Sequence, residues 1–498
     1  GGFVTCLDVS SGNIRYQAGG TLTISRLAPS GNVALKAGTS VVDNADAGAE
    51  DVSAAGLLIE AGTDIGSAAN PVETTVITLT GSSAGSGGTF VVEADALIVD
   101  TLTVAVNRVL DTGVVSGTMT TQTQADVVAA NNGPIVLDVG GSLTVNAGDG
   151  DDEGIRAIGN GHLRLDVSGF VSLQAGVRTD AGHISIVAVD DITQGGASNV
   201  KGDITSGTGT IDVESSAGKI TMFNGNSAAT SGADIRYLAV GAGGPFAPVQ
   251  SGELSVGDIS AGAGVVSLKA TTITDSGTSD IDVTAAGLRI ETTHASGGAG
   301  TGVLPLHTAV TTVSASTGTA GLFLSETTDL VVDTVGPVTV NRVGLDGTTL
   351  TPQTDAAQSD LTSTGALAVV TVNGSLTING GGDGTGVSAT GNILLQTGET
   401  GEGAEDDVDD IALNALVISS AGHISLNAAD DVTQAAAGDL QTQGLGMTID
   451  VLAASDTTMV DGATATTNNG DVRYQAVAGN LTLGEVIAGT GKVALLAD

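Results

Sequence analysis

Ala181-Gly182-His183-Ile184-Ser185-Ile186, with Asp190-Asp191-Ile192-Thr193-Gln194 close behind, decides how this chain is read. Ile184 and Ile186 flank Ser185, the period of two of a strand with one buried face. Gly182 lies just before the strand, and the Asp190-Asp191 pair suits a turn, where Asp side chains bond nearby backbone N–H groups. The same unit returns late in the chain as Ala421-Gly422-His423-Ile424-Ser425-Leu426 and Asp430-Asp431-Val432-Thr433-Gln434.

Other words return in the same order. Asn107-Arg108-Val109 comes back as Asn341-Arg342-Val343, and Gly141-Ser142-Leu143-Thr144-Val145-Asn146 as Gly374-Ser375-Leu376-Thr377-Ile378-Asn379. All three tyrosines fall in one word: Ile14-Arg15-Tyr16, Ile235-Arg236-Tyr237 and Val472-Arg473-Tyr474. Their nearly even placement marks a long period, which must be settled before any fold is assigned. The spacing predicts the end of one repeat at 1–12, a first copy at 13–233, a second at 234–470, and the start of a third at 471–498. Chain ends in mid-repeat lead to the expectation that the segment continues end to end, within a longer chain or between subunits.

Inside each copy there is a finer beat. Ile14, Leu22 and Val33 are separated by a short step and then a longer one, and Val472, Leu481 and Val493 repeat that order. Strands in coils of roughly twenty residues predict an all-β fold, a parallel β-helix or β-solenoid. The general rule for parallel crossovers makes it right-handed. A string of Ig-like sandwiches would share the turn spacing, but it needs bulkier core residues than 2% aromatics supply. A narrow core of Val, Ile, Leu, Ala and Thr suits stacked coils. At the usual strand spacing, roughly 25 coils would make a rod on the order of 120 Å long.

Composition narrows the function classes. Gly is 75 of 498 residues and Pro only 8, while 41% of residues are hydrophobic, which is not the signature of disorder. Lys plus Arg number 15 against 55 Asp plus Glu, a formal charge of −40. Nucleic acid and anionic membrane surfaces call for basic patches, so neither is expected as a partner. Acidity instead favours solubility and association with divalent cations or other counterions. One cysteine, Cys6, rules out an intrachain disulfide, and no apolar run reaches the length of a membrane span. Near-absence of cysteine suits a bacterial extracellular protein and is also compatible with the cytosol; an extracellular or bacterial cell-surface location is the expectation.

The Gly-His-Ile-Ser-Ile/Leu word followed by Asp-Asp-Ile/Val-Thr-Gln resembles the filamentous-haemagglutinin-like β-helical repeats of very large bacterial surface and secreted adhesins. The resemblance is one of rhythm and composition and runs along essentially the whole chain. It implies a scaffold rather than an enzyme: a rod for adhesion, surface coating or an extracellular filament. It carries over no catalytic residues, and that family's amino-terminal secretion-partner domain is not visible here.

Residues suited to chemistry are sparse. Polysaccharide lyases on β-helices need a basic group near metal-binding carboxylates, and hydrolases need paired carboxylates. Arg164 and Asp166 share the outward face of one strand, and the plain reading is a surface ion pair. No catalytic residue and no cofactor-binding residue is assigned. His183 and His423 read as outward residues at strand starts. The best metal candidate is Asp149, Asp151 and Glu153, whose alternating acids resemble the start of a calcium loop without its closing Glu. Calcium is the only cofactor this pattern suggests. A second acidic loop, Glu402 to Asp410, reads as solvated. The candidate contact loop is Gly241–Gln250, with Pro245, Phe246 and Pro248. It makes the run from Tyr237 to Leu268 much longer than its counterparts from Tyr16 to Leu35 and from Tyr474 to Leu495, and loops that bulge from a solenoid often carry binding. The expected partners are the chain itself, head to tail or as neighbouring segments of a longer chain, or a surface glycan or protein.

Overall fold

A computed structural model describes residues 2–3, 12–44, 48–116, 119–196, 200–241, 252–277, 280–399 and 409–497. They group into two compact units: residues 1–233 with 340–353, and residues 234–339 with 354–498. Each unit is a parallel β-solenoid, and no helix occurs among the described residues. None is therefore long and apolar enough to cross a membrane.

In the first unit, Ile14–Ala18 pairs with Asn32–Ala37, Asn32–Ala37 with Val52–Ala61, and Val52–Ala61 with Val72–Ser83, all parallel. Later coils carry three strands each. Leu163–Val167, Val171–Leu173 and Gly176–Thr179 stack on Ile135–Val139, Leu143–Val145 and Glu153–Ala157. Ile184–Ala188, Ile192–Gln194 and Ile204–Ser206 continue the three ladders. The alternation of short and long steps shows two of these strands. The third is short and holds one large apolar residue, such as Val177 or Ile204, too little for a period to show.

Register gives the coil lengths. Ile14 lies opposite Val33, and Leu163 opposite Ile184, so these coils keep close to the expected length. The coils that set Ile135 opposite Leu163 and Ile184 opposite Ile211 are distinctly longer. The twenty-residue coil is thus the short form, and turn insertions lengthen the rest. In the second unit Tyr237 lies opposite Leu268 and Tyr474 opposite Leu495, the phase expected from the tyrosine words.

Inward positions form the core. Leu35, Leu57, Ile184, Ile186, Ile211, Val213, Ile235, Val266 and Leu268 are all fully buried. Each such side chain contributes about 1.5–3 kcal/mol by leaving water. Tyr237 and Tyr474 are buried among inward residues, and the Tyr474 hydroxyl donates to Gln434 Oε1 at 2.6 Å. Burial pushes that phenol well above its ordinary range, with the Gln434 bond opposing.

The polar turn residues form ladders of their own. Asp410 Oδ1 accepts the Asp431 N–H at 3.0 Å, Asp431 Oδ1 the Asp456 N–H at 2.7 Å, and Asp456 Oδ1 the Asn480 N–H at 2.6 Å. Asp191 does the same for Lys219 at 3.0 Å. One carboxylate per coil thus satisfies a backbone donor of the next, which is why Asp and Asn recur at these corners. Glycine has an equally specific place. A Cβ on Gly182 would lie 1.8 Å from the Gly161 carbonyl oxygen, and one on Gly209 would lie 2.0 Å from that of Gly182. Stacked corners leave no room for a side chain there.

Among the described residues, two antiparallel hairpins leave the coils. The first is Leu102–Val106 with Thr120–Gln124, and the second is Val338–Val343 with Leu350–Asp355. The first packs Leu102 and Val104 over Ala34 and Leu58, closing a buried cluster. Leu102-Thr103-Val104 and Val338-Thr339-Val340 alternate as coil strands do, but the return strands Thr120–Gln124 and Leu350–Asp355 carry no apolar alternation, so periodicity does not announce a hairpin.

Candidate functional site: carboxylate clusters and a docked hairpin

Among the described residues, three groups of side chains bring ligand atoms within 4.8 Å of one another: Asp43, Asp51 and Glu73; Asp275, Asp282 and His307; Asp126, Asp149 and Asp151. The first two are repeat equivalents. Asp51 and Glu73 start neighbouring strands one coil apart, beside the Val52–Thr74 register pair, as Asp282 and His307 do beside Val283–Thr308. In each, the middle Asp joins the turn ladder: Asp51 Oδ2 accepts the Glu73 N–H at 3.1 Å and Asp282 Oδ2 the His307 N–H at 2.7 Å.

Burial raises both middle carboxyls. Asp282 is pushed up to about 9 by desolvation, held back by the His307 N–H bond, with the Asp275 carboxyl adding to the rise. Asp51 rises for the same first reason, with Asp43 and Glu73 as its acidic neighbours. His307 Nδ1 stands 3.6 Å from Asp275 Oδ2. The all-carboxylate group is an oxygen set of the kind hard divalent cations take, and the His-containing group would also accept a transition metal. Sequence reading missed both. Their signal was an Asp at the same phase of both copies, with a third ligand one coil on.

The sequence-based metal candidate is rearranged. Asp149 and Asp151 do lie together, but their third carboxylate is Asp126, from a coil below. Glu153 instead pairs with Arg156 at 3.2 Å and with Arg178 at 3.4 Å. Asp149 and Asp151 cap their own loop, Asp149 Oδ1 accepting the Asp151 N–H and Asp151 Oδ1 the Glu153 N–H. Burial, then the charge of Asp149, lifts Asp126 to about 7. In the second copy Asp360 is lifted to about 6 by burial, then by Asp383 and Asp333. Pro245, Phe246 and Pro248 lie outside the described residues, as do Glu405, Asp406 and Asp407 of the second acidic loop. Arg164 and Asp166 form the expected ion pair, but Arg164 is buried rather than on the surface.

The largest departure from the sequence reading is at His183. It is half-buried and stacks on His162 with ring centroids 5.2 Å apart. Its Nδ1 accepts the Thr210 N–H at 2.9 Å. Burial, then the neighbouring His162, holds its pKa below the ordinary range. On this face sits the tip of the second hairpin. The Asn341 N–H donates to Thr210 Oγ1 at 2.9 Å, and the Asn341 side-chain amide meets His183 Nε2 at 3.4 Å. Arg342 Nε donates to Asp212 Oδ2 at 2.8 Å and its Nη2 to Glu214 Oε2 at 2.6 Å. The Val343 N–H donates to Ser185 Oγ at 2.9 Å. Asp212, Ser185 and Val343 are all buried there. The Asn-Arg-Val word, which in sequence marks only the repeat, is therefore a docking tip, and His183-x-Ser185 with Thr210 and Asp212-x-Glu214 is its receptor. No family model, curated protein or solved structure matches this chain.

Proposed function

We propose that this chain is a non-catalytic structural segment of an extracellular bacterial rod, fibre or surface layer, continued by stacking β-coils end to end. The observation that supports this most is how each coil is held. Parallel ladders, inward apolar rows and turn carboxylates all satisfy one coil through the next, as along Leu163, Ile184 and Ile211. Such a molecule has its strength along the stacking direction and an unpaired backbone edge wherever the stack is open. The resemblance to filamentous-haemagglutinin-like repeats points the same way. The long insertions and hairpins serve, in this reading, as the places where coils are clamped. Electron microscopy of the native material tests it. Fibres or rods longer than one chain are expected, and monodisperse single-chain particles at high concentration would overturn it.

A further inference from the structure

The receptor used by the second hairpin recurs in the second unit. His423, Ser425, Thr448 and Asp450 occupy the repeat positions of His183, Ser185, Thr210 and Asp212. The local geometry is the same: His423 Nδ1 accepts the Thr448 N–H at 3.0 Å, as His183 Nδ1 does from Thr210. Ile424 lies opposite Ile449 in the ladder, as Ile184 does opposite Ile211. Yet His423 is exposed, and Ser425 and Asp450 are half-exposed where Ser185 and Asp212 are buried. The first hairpin presents the complementary tip in the same condition. Asn107, Arg108 and Val109 are all exposed, and Val109 is 64% exposed where its equivalent Val343 is 1%. Leu110, Val114 and Val115 extend this into an apolar patch, at 46%, 61% and 53% exposure.

We propose that the first-hairpin tip, Asn107-Arg108-Val109, docks on the His423, Ser425, Thr448 and Asp450 face of a second copy of this chain. The pattern is the one that Asn341-Arg342-Val343 makes on the first receptor. This rests on the end-to-end reading above and names the contact that would clamp one copy to the next. Charge is complementary, Arg108 against Asp450. Arg473 already holds Asp450, its Nε 2.6 Å from Oδ1 and its Nη2 3.0 Å from Oδ2. On the first receptor Arg342 binds the equivalent carboxylate, Asp212. Docking thus brings Asp450 a second arginine. Not every neighbouring position is kept. Leu452 stands where Glu214 stands, and Leu110 where Gly344 stands, so one ion pair of the first receptor gives way to apolar side chains on both surfaces.

The test uses two full-length chains in a Cys6→Ser background, one carrying Val109→Cys and the other Ser425→Cys. A single chain with Val343→Cys and Ser185→Cys is the positive control, because those positions meet within one molecule. The mixture is expected to form an intermolecular disulfide, lost when Arg108→Glu is added to the first chain. Sedimentation of the parent chain should show self-association weakened at least tenfold by Arg108→Glu. The proposal is overturned if the control cross-links and the mixture does not. Association unaffected by Arg108→Glu would also overturn it while leaving end-to-end stacking intact. Complete absence of association would count against both.

Discussion

The two hairpins carry the same Asn-Arg-Val word and meet opposite fates. In the second, Arg342 lies across Asp212 and Glu214, and Val343 is buried. In the first, Arg108 and Val109 are exposed. The sequence of the tip is therefore not what buries it. The receptor does, through a serine, a threonine held by a histidine, and a carboxylate on adjacent coils. A hairpin becomes a clamp only when a face with that constellation is offered to it.

Substituting the arginines separates the two most sharply. Arg342→Ala removes the guanidinium that pairs with fully buried Asp212 and with Glu214. Breaking a buried pair this way costs about 3 kcal/mol. Arg108→Ala in the isolated chain should change stability by less than about 0.5 kcal/mol, as exposed substitutions do. Urea midpoints of the two variants would show it, and equal losses would break the comparison. The receptor serines repeat the test at smaller scale. Ser185→Ala removes the acceptor of the Val343 N–H, a loss of about 1–2 kcal/mol, whereas Ser425→Ala should be nearly neutral in the monomer.

The carboxylate clusters sharpen the comparison of the two copies through pH. Asp282, raised from 3.8 to about 9, remains protonated in the folded chain while the unfolded chain ionises. Stability from this group is fully present below about pH 4 and is lost as pH rises toward 9. Asp282→Asn keeps an acceptor for the His307 N–H but removes that loss. The variant should therefore gain on the parent steadily between pH 5 and pH 9 in urea titrations; a constant difference would contradict the assignment. Asp51→Asn should behave in the same direction, since burial raises Asp51 too.

Much of the scaffold was legible in the sequence. Alternation at Ile184-Ser185-Ile186, the tyrosine words and the recurring Asp pairs lead to a parallel solenoid and to the facing of Tyr237 with Leu268. Those signals are local or repeat at one phase, so they survive in one dimension. The contacts that were missed are neither. Arg342 meets Asp212 across 130 residues, and Val343 meets Ser185 across 158. No period links them, because the hairpin returns to coils laid down much earlier. Asp126 escaped for the same reason: it joins Asp149 and Asp151 from another coil, while Glu153, adjacent in sequence, turns to Arg156 and Arg178. The second copy did hold one clue. Its tip word is the same as in the first copy while Leu110 and Gly344 beside it differ, as expected for a word held by a contact rather than by the strand that carries it.

Amide hydrogen exchange at Val109 and Val343, in one sample and at two protein concentrations, is the most direct check on the docked and free tips. Val343, donating to a buried serine hydroxyl, should be protected at both concentrations. Val109 should exchange freely in dilute solution and gain protection when the chain is concentrated. Equal protection of the two amides at every concentration would contradict the account.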